Sequence, residues 1–345
     1  MTSARVDEFG PSKGAVGRLA RIALDYDVEE PGLPRSLVAK LPGNAGPAND
    51  LAQRFRLYER EARFYQELAG VVNVPTPRLY YCAIDPRSHA SVLLLEDLSP
   101  AQEGDLLHGC TLAEVAPLVE WLARMHAAWW NSPQLDAYPW LPKPDDRVAT
   151  QFTARVSGRA WRMFLRKFGT GLPPLAPALV DGLKRGNSVA KRLASPPLTL
   201  VHGDVRINNV FYTPSIPLEP LALIDWQTVC RARGPVDIAC LFVSNLAPSD
   251  RRTAEAELLP RYHRLLEENG VRGYGFDQCW DDYRLAVMHL FTQIVVLSSF
   301  LDFGGNLQEP LTAATIGRPL AAMADLSPVD LLPAAPGWKR WGRFC

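Results

Sequence analysis

Three polar side chains of complementary chemistry fall within one short stretch: Asp204, Asn209 and Asp225 lie in LTLVHGDVRINNVFYTPSIPLEPLALIDWQ, residues 198–227. Residues 198–201 are an apolar run of strand formers that delivers His202-Gly203-Asp204 at its end. Residues 210–212 and 221–224 read as two further short strands, and the Pro-containing segment 213–220 can continue neither. Closing them into a hairpin sets Asn209, before the first strand, beside Asp225, after the second. An amide oxygen and a carboxylate then converge, the hard-oxygen pair that magnesium takes when substrate phosphates fill its other positions. Asp204, earlier on the same loop, is placed to accept a proton from a hydroxyl presented to those phosphates. A metal-dependent phosphoesterase would need more His and carboxylate ligands than this region supplies, because the six His of the chain are scattered.

The run HGDVRINN followed by IDWQ resembles H-x-D-x-x-x-x-N and the later metal-binding Asp of protein-kinase-like small-molecule kinases. That group includes aminoglycoside phosphotransferases, choline kinases and ecdysteroid-kinase-like proteins, and the wording here is most similar to bacterial members of the last. The resemblance implies ATP as phosphoryl donor with magnesium, Asp204 as catalytic base, and Asn209 and Asp225 as metal ligands. It places Arg206 where protein kinases carry a catalytic-loop Lys that touches the transferred phosphate. It implies an α+β, bilobal protein-kinase-like fold: an N-terminal antiparallel sheet with one helix over residues 1–97, then a mainly helical C-terminal lobe over 98–345.

Elements that could hold such a site are legible upstream. Residues 16–27 and 36–41 read as strands, with Gly10, Gly14 and Gly17 before and at the start of the first. The family carries its phosphate-covering loop here, which assigns Gly14 and Gly17 to the nucleotide, although Ser12 stands about where a first Gly is expected. Lys40, in VAKL, is similar to the strand Lys that pairs with nucleotide phosphates; its bland alternative is a solvated edge charge.

A helix expected over residues 51–69 offers Lys40 two partners, and helical phase separates them. Leu51, Phe55, Tyr58, Ala62, Tyr65, Leu68 and Ala69 form one apolar stripe, with Leu57 and Phe64 to one side. Glu61 falls between these groups, where a carboxylate is costly unless paired. Glu59 falls on the far side with Arg56, Arg60 and Arg63, as a solvated charge with an i,i+4 partner. Glu61 is therefore the expected partner of Lys40, and the family's E-x-x-F-Y pattern in EARFY points to the same residue.

Strands over 78–84 and 91–96 lead to Glu96-Asp97-Leu98, which the resemblance makes the hinge: backbone groups around Glu96 and Leu98 would bond the adenine edge, and the lobe boundary falls near Asp97. Residues 111–130 are strongly helical, with Leu112, Val115, Val119, Leu122, Met125, His126 and Trp129 on one face, so His126 reads as a satisfied core histidine. Residues 145–194 read as interrupted helix and residues 253–268, 280–301 and 310–326 as amphipathic helices, the first with a kink at Pro260. Asp237, in a run resembling the family's G-x-x-D-x-A helix start, is expected to cap or brace that helix near the catalytic loop.

Composition limits the alternatives. Lys plus Arg and Asp plus Glu number 37 each, so no global field favours nucleic acid or an anionic membrane. Six cysteines without CxxC pairing read as reduced thiols, and no run of about 18 apolar residues occurs. The expectation is a cytoplasmic, ATP- and magnesium-dependent phosphotransferase that acts on a hydroxyl of a small molecule. An aminoglycoside-type antibiotic kinase, or a non-catalytic nucleotide-binding protein of the same fold, are the alternatives. Nine Trp lean towards an acceptor less charged than an aminoglycoside.

Overall fold

Five strands pair into one sheet at the N-terminal end: β1 Ser3–Glu8, β2 Arg18–Asp25, β3 Ser36–Leu41, β4 Leu79–Ile84 and β5 Ser91–Glu96. Their order is β1-β2-β3-β5-β4, with every neighbouring pair antiparallel. The structure is a computed structural model and describes residues 1–8, 17–28, 30–85, 87–88, 90–169, 186–214, 219–301 and 309–332. The sequence did not announce β1. SARVDE has little to bury, and Val6 is exposed, so backbone pairing along the sheet edge carries that strand. Strand β3 is central, and Lys40 stands in register between Leu19 of β2 and Leu93 of β5.

The single helix expected over 51–69 is instead a broken one. Helix α1 spans Pro47–Arg54 and α2 spans Leu57–Arg63, with Arg56 in the left-handed region at φ 52° between them. A non-glycine residue there costs about 1–2 kcal/mol, and packing on both sides holds it. Phe55 meets Phe152 edge-on, while the Tyr58 hydroxyl donates to Asn49 Oδ1 and accepts from the Gly43 N–H. Beyond Arg63 the chain widens into a π-helix, Phe64–Leu68. Helical periodicity spans the whole stretch, but it cannot register a one-residue reversal or a wide turn.

Downstream the chain is mostly helical: α3 Leu112–Ala128, α4 Arg147–Phe168, α5 Gly186–Leu193, α6 Pro235–Asn245, α7 Pro248–Glu268, α8 Phe276–Leu297 and α9 Arg318–Leu326. A capping box of Thr111 and Glu114 starts α3. Helix α7 begins at Pro248, earlier than expected, and continues through Pro260. The expected helix over 310–326 is interrupted by a π-helix, Ala313–Gly317, before α9. Helix α6 is apolar nearly all round and buried along its length, which makes it the axis of the helical layer.

Two small sheets carry the stretch that contains Asp204, Asn209 and Asp225. Strand β7, Thr199–Val201, pairs with β10, Cys230–Ala232. Strands β6 Gln102–Glu103, β8 Val210–Tyr212 and β9 Pro220–Leu223 form the other, in the order β6-β8-β9. The hairpin expected from residues 210–212 and 221–224 is thus present. Strands of two and three residues such as β6 and β10 carry too little pattern to be read in advance.

Candidate active site

The loop after β7 is held from beneath. Gly203 adopts φ 84°, and a Cβ on it would come 2.7 Å from the Thr228 carbonyl oxygen, so no other residue fits without movement. His202 is fully buried. Its Nε2 donates to the Ile224 carbonyl at 2.9 Å, which leaves Nδ1 to accept from the Asp204 N–H at 3.1 Å. The carboxylate of Asp237 accepts from the His202 and Gly203 N–H groups, both at 2.7 Å, and from His126 Nε2 at 3.1 Å. His126 Nδ1 in turn accepts from the Tyr262 hydroxyl at 2.8 Å. His126 is therefore the satisfied core histidine expected, and of the two roles open to Asp237 the geometry selects bracing. Asn245, which sequence reading passed over, fixes the next residues: its Oδ1 accepts from the Ile207 N–H at 2.8 Å and its Nδ2 donates to the Val205 carbonyl at 3.1 Å. The available signal was a lone amide closing the apolar run DIACLFVSN.

On the upper side of the loop the expected chemistry gathers. Arg206 grips Asp204 bidentately, Nε to Oδ1 at 2.7 Å and Nη2 to Oδ2 at 2.6 Å. That carboxylate raises the pKa of the guanidinium further despite burial. Asn209 commits its Nδ2 to the Asp204 carbonyl at 2.9 Å and to Asp204 Oδ2 at 3.2 Å, which turns its Oδ1 away from Asp204. The Ile224 N–H donates to the Asn209 carbonyl at 2.9 Å, so the hairpin brings Asn209 to the residue preceding Asp225. Asp225 itself sits in the left-handed region at φ 65°.

Lys40 reaches this loop from the sheet. Its Nζ donates to Glu61 Oε1 at 2.8 Å and to Asp225 Oδ1 at 2.6 Å. Burial alone would lower the pKa of the ammonium, but Asp225 and Glu61 outweigh it and raise the pKa. Glu61 is raised by burial, which Lys40 only partly offsets, and Asp225 is lowered because Lys40 overcomes its burial. One cation shared by two carboxylates explains the split: repulsion falls on Glu61, whose side chain is 3% exposed against 21% for Asp225. The far-side placement of Glu59 holds, as it pairs with Arg63 at 2.9 Å, but its expected solvation is corrected: the residue is only 8% exposed.

The nucleotide residues expected around this cluster are placed unevenly. Gly17, at φ 93°, packs over β3, where a Cβ would lie 3.2 Å from the Leu41 carbonyl and 3.8 Å from Lys40 Cε. Gly14, with Gly10 and Ser12, lies outside the described residues. Glu96 turns its carboxylate to the Arg78 N–H at 3.1 Å, and the Leu98 carbonyl accepts from the Ala101 N–H at 2.9 Å. Asp97 ties the segment after β5 to β2 and β3, accepting from Arg21 Nε and Ser36 Oγ, each at 2.7 Å. Burial pushes that carboxyl up, yet bonds from Ser36, Ser99 and Arg21 prevail and hold it at about 2.

The donor set suits a hard divalent ion. Asn209 offers an amide oxygen oriented by Asp204 and Asp225 offers a carboxylate, both hard oxygen donors. Among the described residues no group of three or more His, Cys, Asp and Glu could hold a metal alone, so phosphate oxygens would have to complete the shell.

A five-stranded antiparallel sheet joined to a helical layer, with Lys40, Glu61 and Asp225 meeting between them, is the fold of the protein-kinase-like small-molecule kinases. The chain belongs to the ecdysteroid kinase-like family, whose profile matches residues 13–272. Solved structures share the fold at low identity. A Ralstonia eutropha protein assigned by name to the aminoglycoside phosphotransferases is 17% identical with a TM-score of 0.57, covering 95% of this chain and 93% of that one. A microcompartment-associated aminopropanol kinase is 13% identical with a TM-score of 0.54, over 94% and 91%. The ethanolamine kinase Pv091845 of Plasmodium vivax is 10% identical with a TM-score of 0.50, over 94% and 82%. Among curated proteins, an Arabidopsis thaliana protein named Probable acyl-CoA dehydrogenase IBR3 is 24% identical over 205 residues. That match takes in 56% of this chain and 23% of the plant protein, so the chain corresponds to about a quarter of it.

Proposed function

We propose that the protein transfers the γ-phosphoryl group of ATP to a hydroxyl of a small molecule, with the lobes meeting near Asp97 as residues 1–97 and 98–345. The observation that carries this reading is the juxtaposition of Glu61–Lys40–Asp225 with Asp204–Asn209, two hydrogen-bonded sets drawn from four separate segments of chain. In the transfer the acceptor oxygen forms the new P–O bond, the bond to the β-phosphate bridging oxygen breaks, ADP leaves, and the hydroxyl proton passes to Asp204. Lys40, oriented by Glu61, holds the phosphates. Arg206, beside Asp204, places positive charge where the transferred group gains negative charge. Magnesium, held by Asn209 and Asp225, supplies neutralisation of phosphate charge when bound. The braced loop fixes Asp204 without reorganisation, and such positioning carries most of the rate in phosphoryl transfer.

The test is ATP consumption by the purified protein across a panel of hydroxylated compounds, with product mass analysis. An acceptor-dependent gain of one phosphoryl group, lost on chelation of divalent metal, is the expected result. ATP binding without turnover on any acceptor, under conditions where the protein is folded, would favour a non-catalytic nucleotide-binding role.

A further inference from the structure

Two side-chain amides beside the expected metal ligands each keep a carbonyl oxygen buried with no hydrogen-bond partner among the described residues: Asn208 Oδ1 and Gln227 Oε1. What their nitrogens face fixes their orientation. Gln227 Nε2 donates to Asp225 Oδ2 at 3.1 Å, and an ionised carboxylate can only accept, so Oε1 must point the other way. Asn209 has turned its Oδ1 away from Asp204, and Asn208 Nδ2 faces that oxygen at 3.5 Å, which leaves Asn208 Oδ1 on its opposite side. Each amide thus turns its nitrogen to one expected ligand and keeps a spare acceptor on the other side of its own amide group, within two residues of that ligand. Leaving a buried carbonyl unsatisfied costs about 1–3 kcal/mol. Two such costs fall within two positions of Asn209 and Asp225, and Gln227 is only 9% exposed.

We propose that Gln227 Oε1 and Asn208 Oδ1 form an outer ring around the divalent-cation site and accept hydrogen bonds from the water molecules that the ion carries. This rests on the phosphotransferase reading above and extends it. Magnesium gives up its waters reluctantly and keeps several in protein sites, and water bound to a dication is a strong donor. Buried carbonyl oxygens are its matching acceptors, while Gln227 Nε2 also aims Asp225. The ligand class is a hydrated hard divalent cation, magnesium or manganese, entering with the nucleotide. Partners of this kind orient first-layer ligands and are worth about 10–100-fold in metal affinity.

The test uses the full chain saturated with a non-hydrolysable ATP analogue and titrated with Mn²⁺, followed by the paramagnetic resonance signal of the free ion. Gln227→Met removes both the donor to Asp225 and the spare acceptor, whereas Gln227→Glu removes the donor and keeps acceptor oxygens. Expected are about 10–100-fold weaker Mn²⁺ binding in Gln227→Met and binding no weaker than wild type in Gln227→Glu. Asn208→Leu is a second removal of an acceptor, usable if Gln227→Met does not fold, and should also weaken binding. Equal weakening in both Gln227 variants would assign the whole effect to the bond with Asp225 and overturn the ring, as would wild-type affinity in Gln227→Met and Asn208→Leu. If the wild-type nucleotide complex itself takes up no Mn²⁺, the phosphotransferase reading fails together with the ring.

Discussion

Lys40 Nζ stands 2.6 Å from Asp225 Oδ1, closer than the 2.8 Å that separates it from Glu61, although lysine and aspartate are 185 positions apart in the sequence. This contact joins the central strand of the sheet directly to the expected metal loop. With one ammonium between two carboxylates, and burial raising Glu61, the negative charge of the cluster is concentrated on Asp225, on the side of the expected metal loop.

Glu61→Gln should lower turnover by leaving Lys40 drawn to Asp225 alone, and should destabilise the protein. One-sided loss of a fully buried pair costs about 3–5 kcal/mol, and the remaining bond to Asp225 keeps the cost below that range. Glu59→Gln should cost about 1 kcal/mol in stability, because Glu59 is packed against Arg63, with turnover unchanged. Thermal melts and steady-state rates on both variants decide the matter; an equal loss of turnover would remove Glu61 from the site.

Asp204→Asn should reduce phosphoryl transfer by roughly 10²- to 10⁴-fold while nucleotide binding stays near wild type, since the lost group acts on the acceptor. Calorimetric titration with ATP beside single-turnover kinetics separates the two effects. Turnover at the wild-type rate would strip Asp204 of its role.

Asn209→Ala and Asp225→Ala should both weaken metal-dependent nucleotide binding, Asp225→Ala more severely because it deletes charge and frees Lys40 from its shorter contact. Excess magnesium should restore part of the activity of Asn209→Ala. Activity that survives exhaustive chelation contradicts the assignment of both residues.

Asp237→Ala would leave the His202 and Gly203 N–H groups and His126 without their shared acceptor, at about 1–3 kcal/mol for each stranded donor. Gly234→Ala tests the same bracing from outside, since a Cβ there would lie 2.3 Å from the Tyr262 hydroxyl and 2.9 Å from His126 Nδ1. Overpacking of this kind costs about 1–3 kcal/mol. Chemical denaturation gives both values, and a melt unchanged in Gly234→Ala would show that the Tyr262–His126 pair yields without cost.

The Asp97 carboxyl titrates at about 2 in the folded protein, below its ordinary 3.8. A carboxyl whose folded pKa is depressed adds stability above its unfolded pKa and loses it as pH falls through the folded value. Asp97→Asn should therefore melt lower than wild type from neutral pH down to about 4, and the gap should close as pH approaches about 2. A gap that stays constant across that window would mean that Asp97 contributes through shape alone.

Much of the site was legible because its parts are local. HGDVRINN and IDWQ fix types and spacing within one stretch of chain, and helical phase alone separated Glu61 from Glu59. What escaped depended on partners far apart in sequence. Tyr262 has no local mark that ties it to His126, Asn245 looks like the end of a helix, and the burial of Glu59 arises from neighbours that no single helix reveals. Arg56, in the left-handed region, interrupts a stretch whose apolar spacing reads as continuous.

The stack of Phe64 on Trp226, rings 3.9 Å apart and 6° from parallel, has a bearing on helix movement. Phe64 opens the π-helix that follows Glu61, and Trp226 follows Asp225, so the Glu61 helix is clamped to the Asp225 loop as well as linked through Lys40. Swinging that helix out of the cleft would separate two fully buried aromatic faces, at about 0.5–1.5 kcal/mol beyond the area they would expose to water. Displacing the helix is therefore penalised in this molecule, and the Lys40 contacts and the aromatic stack would have to break together.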